Sequence, residues 1–461
     1  MKIHILGICG TFMGGIAVLA KQAGHDVSGC DANVYPPMST QLEEQGITLC
    51  EGFFAKDIPE DVDEVVIGNA MSRGNEAVEY VLNKNIAYTS GPEWLSKHVL
   101  DQRWVLAVAG THGKTTTSSM LAWMLQYADL NPGFLIGGIP ANFGLSARIG
   151  DAPFFVVEAD EYDTAFFDKR SKFVHYHPRT AVLNNLEFDH ADIFEDLGAI
   201  KKQFHHFVRT IPGDGLIVKN GGDENISDVL DQGCWSLVAA FHKAHDPAHE
   251  NDDWSIGEVS NDGSNFEVLL DGKRVAQVDW SLHGSFNRMN ALAAIAAAQH
   301  AGVPVEVSCE ALKEFKGIKR RLEVRGVIDG VTVYDDFAHH PTAIEETLSA
   351  MKEVKGEGKV YAVLEPRSNT MRMGIHKESL SDSWQQADEI CLYQPEGLDW
   401  NLSDVVAQST VAATIFSSTD KIITHLLSKT TAGDHIVIMS NGGFEAIHKR
   451  LLDALEVSVE V

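Results

Sequence analysis

The chain has 461 residues, of which 44% are hydrophobic and 22% charged, and its formal net charge is −28. That length exceeds one hydrophobic core and fits about three domains, and the acidic balance argues against nucleic acid or an anionic membrane as partner. Six cysteines without a C-x-x-C pair indicate neither a zinc site nor a disulfide framework.

Residues 1–102 open as a dinucleotide-binding βαβ unit. Ile3 to Leu6 reads as a strand, Gly7-Ile8-Cys9-Gly10-Thr11-Phe12-Met13-Gly14-Gly15 as a glycine loop, Ile16 to Ala23 as a helix, and His25 to Asp31 as a strand ending in an acid. Cys9 stands where the second glycine of G-x-G-x-x-G belongs, so a redox dinucleotide is the weaker reading. A phosphate-bearing ligand at the helix start is the stronger one, with Asp31 placed for a sugar hydroxyl. A later strand, Glu64 to Gly68, runs into the polar loop Asn69-Ala70-Met71-Ser72-Arg73-Gly74, at the edge where such sheets bind ligands. Met1-Lys2 runs straight into the first strand and no apolar stretch is long enough to span a bilayer, so the expected compartment is the cytoplasm.

Residues 103–317 begin with the apolar strand Trp104 to Ala109, then Gly110-Thr111-His112-Gly113-Lys114-Thr115-Thr116-Thr117 opening an apolar helix. Strand, glycine turn, Lys-Thr and helix cradle a nucleotide phosphate: backbone N–H groups meet the anion, the lysine reaches the outer phosphates, and the hydroxyl holds Mg²⁺. The spacing is shorter than usual, since the common pattern would need glycine at Val108. As an exposed loop residue, Lys114 is expected to matter little for folding. Phe154 to Val157 is a buried strand ending in Glu158-Ala159-Asp160-Glu161-Tyr162-Asp163, acids placed to hold Mg²⁺ beside a nucleotide. Thr180 to Leu183 leads to Asn184-Asn185-Leu186-Glu187-Phe188-Asp189-His190, and His190 is placed for a second metal. Residues 201–206, KKQFHH, read as a solvated helical face, and His242, His245 and His249 as surface positions in an acidic loop. Three strand-like runs between Trp254 and Trp280 are divided by the hairpin signals Asn261-Asp262-Gly263 and Asp271-Gly272. Asn287 stands as a cap, or with Asn290 as a contact to a base edge, before the Ala-rich helix Ala291 to Ala301.

Residues 318–461 alternate strands (Val331 to Tyr334, Lys359 to Leu364, Glu389 to Tyr393, His435 to Met439) with helices, a further α/β unit with a mostly parallel sheet.

The motifs Gly-Thr-His-Gly-Lys-Thr-Thr, Glu158-x-Asp160-Glu161, Asn185-x-x-x-Asp189-His190 and Phe286-Asn287-x-x-Asn290-x-x-Ala293 occur in the order seen in the Mur ligases, the ATP-dependent amide-bond ligases of peptidoglycan synthesis, which the chain resembles over essentially its whole length. The resemblance implies an α/β protein of three domains: a Rossmann-like domain for a UDP-sugar (1–102), a central ATPase domain with extra β-strands (103–317), and a Rossmann-like domain for the incoming amine (318–461). It implies ATP and Mg²⁺ as cofactors. ATP would meet Gly110, Thr111, His112, Gly113, Lys114, Thr115, Thr116, Asn287, Asn290, Arg321 and Asp336, the last at the ribose. Lys114, Glu158, His190, Arg321 and His339 would serve catalysis, with Thr115, Glu158 and His190 on the metal. Gly7, Gly10, Thr11, Gly14, Gly15, Asp31, Asn69 and Ala70 would receive the UDP-sugar.

The Asp335-Asp336-Phe337-Ala338-His339-His340-Pro341 motif is similar to that of the branch acting on UDP-N-acetylmuramic acid (UDP-MurNAc). Glu365 to Gly374 and Met439 to Phe444 resemble the member that adds the recycled tripeptide L-Ala-γ-D-Glu-meso-diaminopimelate through an acyl phosphate, with Arg367, Ser368, Asn369, Arg372 and Asn441 on the peptide. The L-alanine-adding member is the alternative. A monomer or weak homo-oligomer is expected, and a nucleotide-dependent binding switch is the rival from another class. One departure is that the register of the family's carbamoylated lysine falls near Phe204 or His205; Lys201 and Lys202 lie about a turn too early.

Overall fold

A computed structural model describes residues 1–459 apart from 36–37, 152, 246–252, 396 and 399, so His249 lies outside the described residues. The chain builds three α/β sheets in sequence order. The first contains β1 (Lys2–Leu6), β2 (Asp26–Asp31), β3 (Thr48–Glu51), β4 (Glu64–Ile67) and β5 (Tyr88–Ser90). Its order is β3-β2-β1-β4-β5, all parallel. The second contains β6 (Trp104–Ala109), β7 (Gly133–Leu135), β8 (Ala147–Arg148) and β9 (Phe154–Glu158). After a hairpin, β10 (Asp163–Ala165) and β11 (Asp168–Ser171), it continues with β12 (Thr180–Leu183), β13 (Leu216–Asn220) and β14 (Leu237–His242), then β15 (Trp254–Val259), β16 (Asn265–Leu270) and β17 (Lys273–Asp279). The order is β17-β16-β15-β14-β13-β12-β6-β9-β7-β8; β15 joins β14 in parallel, and β15, β16 and β17 pair antiparallel, as foreseen from the two hairpin signals. The third contains β18 (Glu323–Ile328), β19 (Val331–Asp336), β20 (Val360–Leu364), β21 (Glu389–Tyr393), β22 (Ala412–Phe416) and β23 (His435–Met439). Its order is β18-β19-β23-β20-β21-β22, parallel except for the edge strand β18.

In each sheet the chain reverses its direction of winding beside a strand followed by a phosphate or acid loop, and open α/β sheets bind ligands at such points. β1 and β4 flank one reversal, which places Gly7, Gly10, Asn69 and Ala70 around it. β6 lies between β9 and β12, so the loops after all three meet at one edge.

Helix α1 (Thr11–Gln22) starts five residues earlier than the sequence suggested. Gly14 and Gly15 are therefore inside the helix and not in a phosphate loop. A Cβ on Gly15 would come within 2.2 Å of Leu135 Cδ1, and one on Gly14 within 2.6 Å of Met38 Sδ. Both glycines serve close packing, Gly15 against the second sheet, and neither is placed to meet a diphosphate. Helix α2 (Lys114–Tyr127) and α4 (Ser285–His300), with α3 (Leu197–Val208) between them in sequence, are buried differently. The alanines of α4 are nearly all fully buried against α2 and one face of the second sheet. The other face of that sheet shares one apolar cluster with α1 and the first sheet, including Ile3, Ile16, Trp94, Leu135, Ala147 and Phe155. The two clusters flanking the third sheet share no buried residue with the others. Along α3, Phe204 and Phe207 are buried and Lys201 pairs with Asp228, so that face is only partly solvated. His242 ends β14 beside Asp253 at 3.6 Å, and is not in a loop. Among the described residues no helix is long and apolar enough to cross a membrane.

His4 is fully buried in β1, bonded through Nδ1 to Ser28 Oγ at 2.9 Å, and burial pushes its imidazole down to about 4. The unfolded chain takes up this proton near pH 6.5 and the folded chain only near 4. Stability is thus complete above pH 6.5 and falls by about 1.4 kcal/mol per pH unit from this group as pH drops to 4. Urea denaturation at pH 7 and pH 5 is expected to show a lower midpoint at pH 5, with a smaller difference in His4→Gln. An identical difference in the variant would remove His4 as the cause.

Candidate active site

The carboxyl ends of the second and third sheets open onto one cavity of about 850 Å³, which the first unit reaches through Thr11, Met38 and Gln41, whereas Gly7, Gly10, Asp31, Asn69 and Ala70 do not line it. Thr11 lines it from the first unit; Thr111 to Thr116, Glu158, Asp160, Asp189, His190, Asn287 and Asn290 from the second; Arg320, Arg321, Asp336, His339, Arg367, Ser368, Asn369 and Asn441 from the third.

The turn after β6 is shaped by side chains beneath it. Asn185 accepts the N–H of Thr111 on its carbonyl and that of His112 on its side chain, at 3.1 and 2.7 Å. Asn184 donates to His112 O and to Asn290 Oδ1, which also accepts from Thr117. Gly113 has φ +79, and a Cβ there would come within 2.4 Å of both Asn184 Nδ2 and Asn290 Oδ1. Only glycine fits. With Thr111 and His112 N–H engaged, the donors left for an anion are those of Gly113 to Thr116, and α2 carries no side-chain cap. Asn287 lies within α4 and donates to His283 O at 2.8 Å; Gly284 holds the capping position instead.

Lys114 is not an exposed loop lysine. Its Nζ lies 2.6 Å from Gly110 O and 2.9 Å from Glu161 Oε2. Burial opposes its charge, but Glu161, Asp160 and Glu158 outweigh burial and raise its pKa. Glu161 also meets His190 Nε2 at 3.1 Å, and this partner holds the histidine above its usual value against burial. Asp160 pairs with the buried Lys172 at 2.8 Å; burial would raise its pKa, but Lys172, Lys114 and His190 hold it well below the usual carboxylate range. Lys172 also lies over the rings of Phe12 and Tyr162, at 5.2 and 5.5 Å. His190 therefore clusters with Asp160 and Glu161, while Glu158 stands with Thr115. Glu158 accepts the Gly137 N–H at 2.8 Å, and burial raises its pKa despite Lys114. A buried carboxylate beside a hydroxyl offers hard oxygen donors, and a divalent cation such as Mg²⁺ would relieve its desolvation. Glu161, expected only as one of several metal-holding acids, instead pairs with Lys114 and His190, and Lys172 was not foreseen. Glu161 was legible in the acid run, whereas nothing local to Lys172 announced its partner.

From the third unit, Arg321 packs over Phe337 at 5.2 Å on the cavity wall, while Arg320 is committed to Ser440 O and Gly442 O at 2.6 and 2.8 Å. Asp336 accepts from Leu322 N, Ala338 N and the Thr347 hydroxyl. It organises the junction first, and its Oδ2 retains acceptor capacity for a hydroxyl. His339 Nδ1 donates to Phe337 O at 2.9 Å and burial lowers its pKa, so Nε2 is left as an acceptor on a neutral ring. Ser368 caps Met371 N–H, Asn369 reaches Asp192, and Asn441 Oδ1 is buried without a partner. Arg367 lines the cavity; Arg372 does not, and donates to Gly397 O at 3.2 Å. In the first unit, Asp31 accepts from Cys9 N and Asn33 N, so it fixes the Gly7–Gly10 turn.

Three family models cover the chain in order: "Mur ligase family, catalytic domain" at residues 2–103, "Mur ligase middle domain" at 108–298, and "Mur ligase, glutamate ligase domain" at 320–442. The chain is 54% identical over 461 residues, 100% of its length and 99% of the relative's, to the Escherichia coli UDP-N-acetylmuramate–L-alanyl-γ-D-glutamyl-meso-2,6-diaminoheptandioate ligase. The chain belongs to the Mur ligase family. The Haemophilus influenzae protein with the same name is 52% identical to this Mur ligase, with 99% of each chain covered. A crystal structure of a murein peptide ligase from Psychrobacter arcticus matches it with a TM-score of 0.75 and 49% identity, covering 99% of both chains. As a Mur ligase the protein is an ATP-dependent ligase, with the three-unit mixed α/β fold of that family.

Proposed function

We propose that this Mur ligase joins the α-amine of the tripeptide L-Ala-γ-D-Glu-meso-diaminopimelate to the lactyl carboxylate of UDP-MurNAc, in the recycling of peptidoglycan. What carries the reading is 54% identity over the whole chain to a ligase named for these two substrates, with the phosphate loop and the third unit's Arg367 and Asn441 lining one cavity. In this assignment residues 1–102 receive the UDP-sugar, 103–317 the ATP and 318–461 the peptide, in the cytoplasm.

The carboxylate oxygen attacks the γ-phosphorus, the bond to the β-phosphate oxygen breaks, and ADP leaves an acyl phosphate. The amine then attacks the acyl carbon, and phosphate leaves as the amide forms. The Gly113 to Thr116 N–H groups hold the phosphates, Lys114 turns from Glu161 to the outer ones, and Arg321 approaches from the third unit. Thr115 and Glu158 would hold Mg²⁺, which would supply charge neutralisation at the phosphates, and His190, which stands with Asp160 and Glu161, would help hold a second ion. Asn441 and Arg367 orient the peptide, and closure of the third unit excludes water from the acyl phosphate.

The test is phosphate release with ATP and UDP-MurNAc, given the tripeptide in one tube and L-alanine in another. Rapid release with the tripeptide and little with L-alanine is expected. The reverse result would make this an L-alanine-adding ligase, and release without either amine would leave only a nucleotide-dependent switch.

A further inference from the structure

We propose that His112, Glu187 and His340 form a site for a transition-metal dication of the Zn²⁺ class, distinct from the Mg²⁺ position and bridging the phosphate loop to the third unit. His112 Nε2 lies 3.3 Å from Glu187 Oε2, and His340 Nδ1 lies 3.7 Å from the same oxygen. One donor atom of each residue lies within 4.8 Å of the other two. A tetrahedral zinc with bonds of about 2.0–2.1 Å spaces its ligand atoms by roughly 3.3–3.4 Å. Two of the three edges, at 3.3 and 3.7 Å, already approach that length, and the third is no longer than 4.8 Å.

The donor chemistry selects the metal. Two imidazoles and one carboxylate suit zinc and its neighbours, whereas Mg²⁺ prefers all-oxygen octahedral surroundings. Metal uptake requires His112 Nε2 to give up the hydrogen it shares with Glu187 Oε2, so binding releases a proton or shifts the tautomer. The Thr342 hydroxyl donates to Glu187 Oε2 at 2.7 Å and fixes the carboxylate, the outer-shell support that metal sites use. His340 Nε2, the nitrogen not offered to the metal, is buried without a partner, as is Nε2 of His376, whose ring lies 4.4 Å away.

His112 belongs to the phosphate loop, and His340 caps helix α5 (Pro341–Val354) of the third unit, its Nδ1 accepting from Thr342 N at only 3.3 Å. A metal taking that nitrogen would clamp the two units together and slow the opening on which turnover depends. Among the described residues two other clusters have comparable spacing. Asp160, Glu161 and His190 belong to the site already described. Glu389, Cys391 and His425 are an ion pair at 2.5 Å beside a fully buried thiol pushed up to about 12.

Titration of the full chain with Co²⁺ in excess Mg²⁺, followed by visible absorption, tests the site. One equivalent of intense tetrahedral spectrum is expected, displaced by Zn²⁺, and binding should weaken tenfold or more in His340→Gln and in Glu187→Gln but not in His425→Gln. Zn²⁺ should slow ligation by wild type and not by His340→Gln, each against its own rate with Mg²⁺ alone. Anomalous diffraction from Zn²⁺-soaked crystals locates the ion directly and decides the matter if either variant fails to fold. Absence of a tetrahedral spectrum, a spectrum unaffected by both variants, or zinc found elsewhere would overturn the proposal.

Discussion

Alanine in place of Lys114 is expected to lower kcat by about a hundred- to a thousandfold, the scale for losing one preorganised charged donor at a developing charge. The ammonium is already held over the phosphate loop by Gly110 O, so only a swing away from Glu161 separates it from a bound phosphate. The same variant is expected to lose stability, about 2 kcal/mol, because Glu161 is 3% exposed and keeps only His190 as a cationic partner. Adding Glu161→Gln should restore much of that stability by removing the buried charge, without restoring turnover. Thermal melts and steady-state kinetics on the single and double variants separate the two effects. A folded Lys114→Ala enzyme with near-normal kcat would take the lysine off the phosphates.

Arg367→Ala is expected to raise KM for the tripeptide by roughly ten- to a hundredfold, the loss of one charged hydrogen-bonded contact, with the ATP and UDP-MurNAc parameters nearly unmoved. Its planar fork suits the peptide's carboxylates, and it stands on the cavity wall after β20, beside the β23 loop that carries Asn441. Arg372 lies one short helix further on but turns to Gly397 O. The same substitution there is expected to shift the peptide KM by no more than a few-fold. Equal effects at both positions would mean that the loop as a whole, and not Arg367, recognises the amine.

Local patterns were legible because they are local. The strand, glycine turn and Lys-Thr of residues 104–115 announce a phosphate loop from spacing alone, and the two hairpin signals located β15 to β17. What failed was anything decided by a distant neighbour. Gly14 and Gly15 read as loop punctuation, yet Leu135 and Met38, remote in sequence, demand them inside a helix. Asn287 read as a cap because the alanine run begins later, while α4 starts at Ser285 from a glycine. Lys114 looked exposed because its partner, Glu161, lies 47 residues away. Arg367 and Arg372 share one loop and a composition, and only the packed third unit distinguishes their directions. The edge strand β18 was missed as well: its burial is partial on both faces, so no alternation marks it.

One apolar cluster runs through the first sheet, α1 and one face of the second sheet, whereas the third unit keeps its own two clusters. It meets the rest through polar contacts: Arg288 with Glu353, Thr370 with Asp189, and Asn369 with Asp192. Such an arrangement is expected to melt as two cooperative blocks of unequal size, the first two sheets together, and a single calorimetric transition would count against it. In the proposed chemistry, the acid and the nucleotide that activates it are then held in fixed relation by the act of folding, before either binds. The amine alone travels, on a block that can undock without disturbing them, so the activated acid is assembled on rigid ground and its captor is delivered.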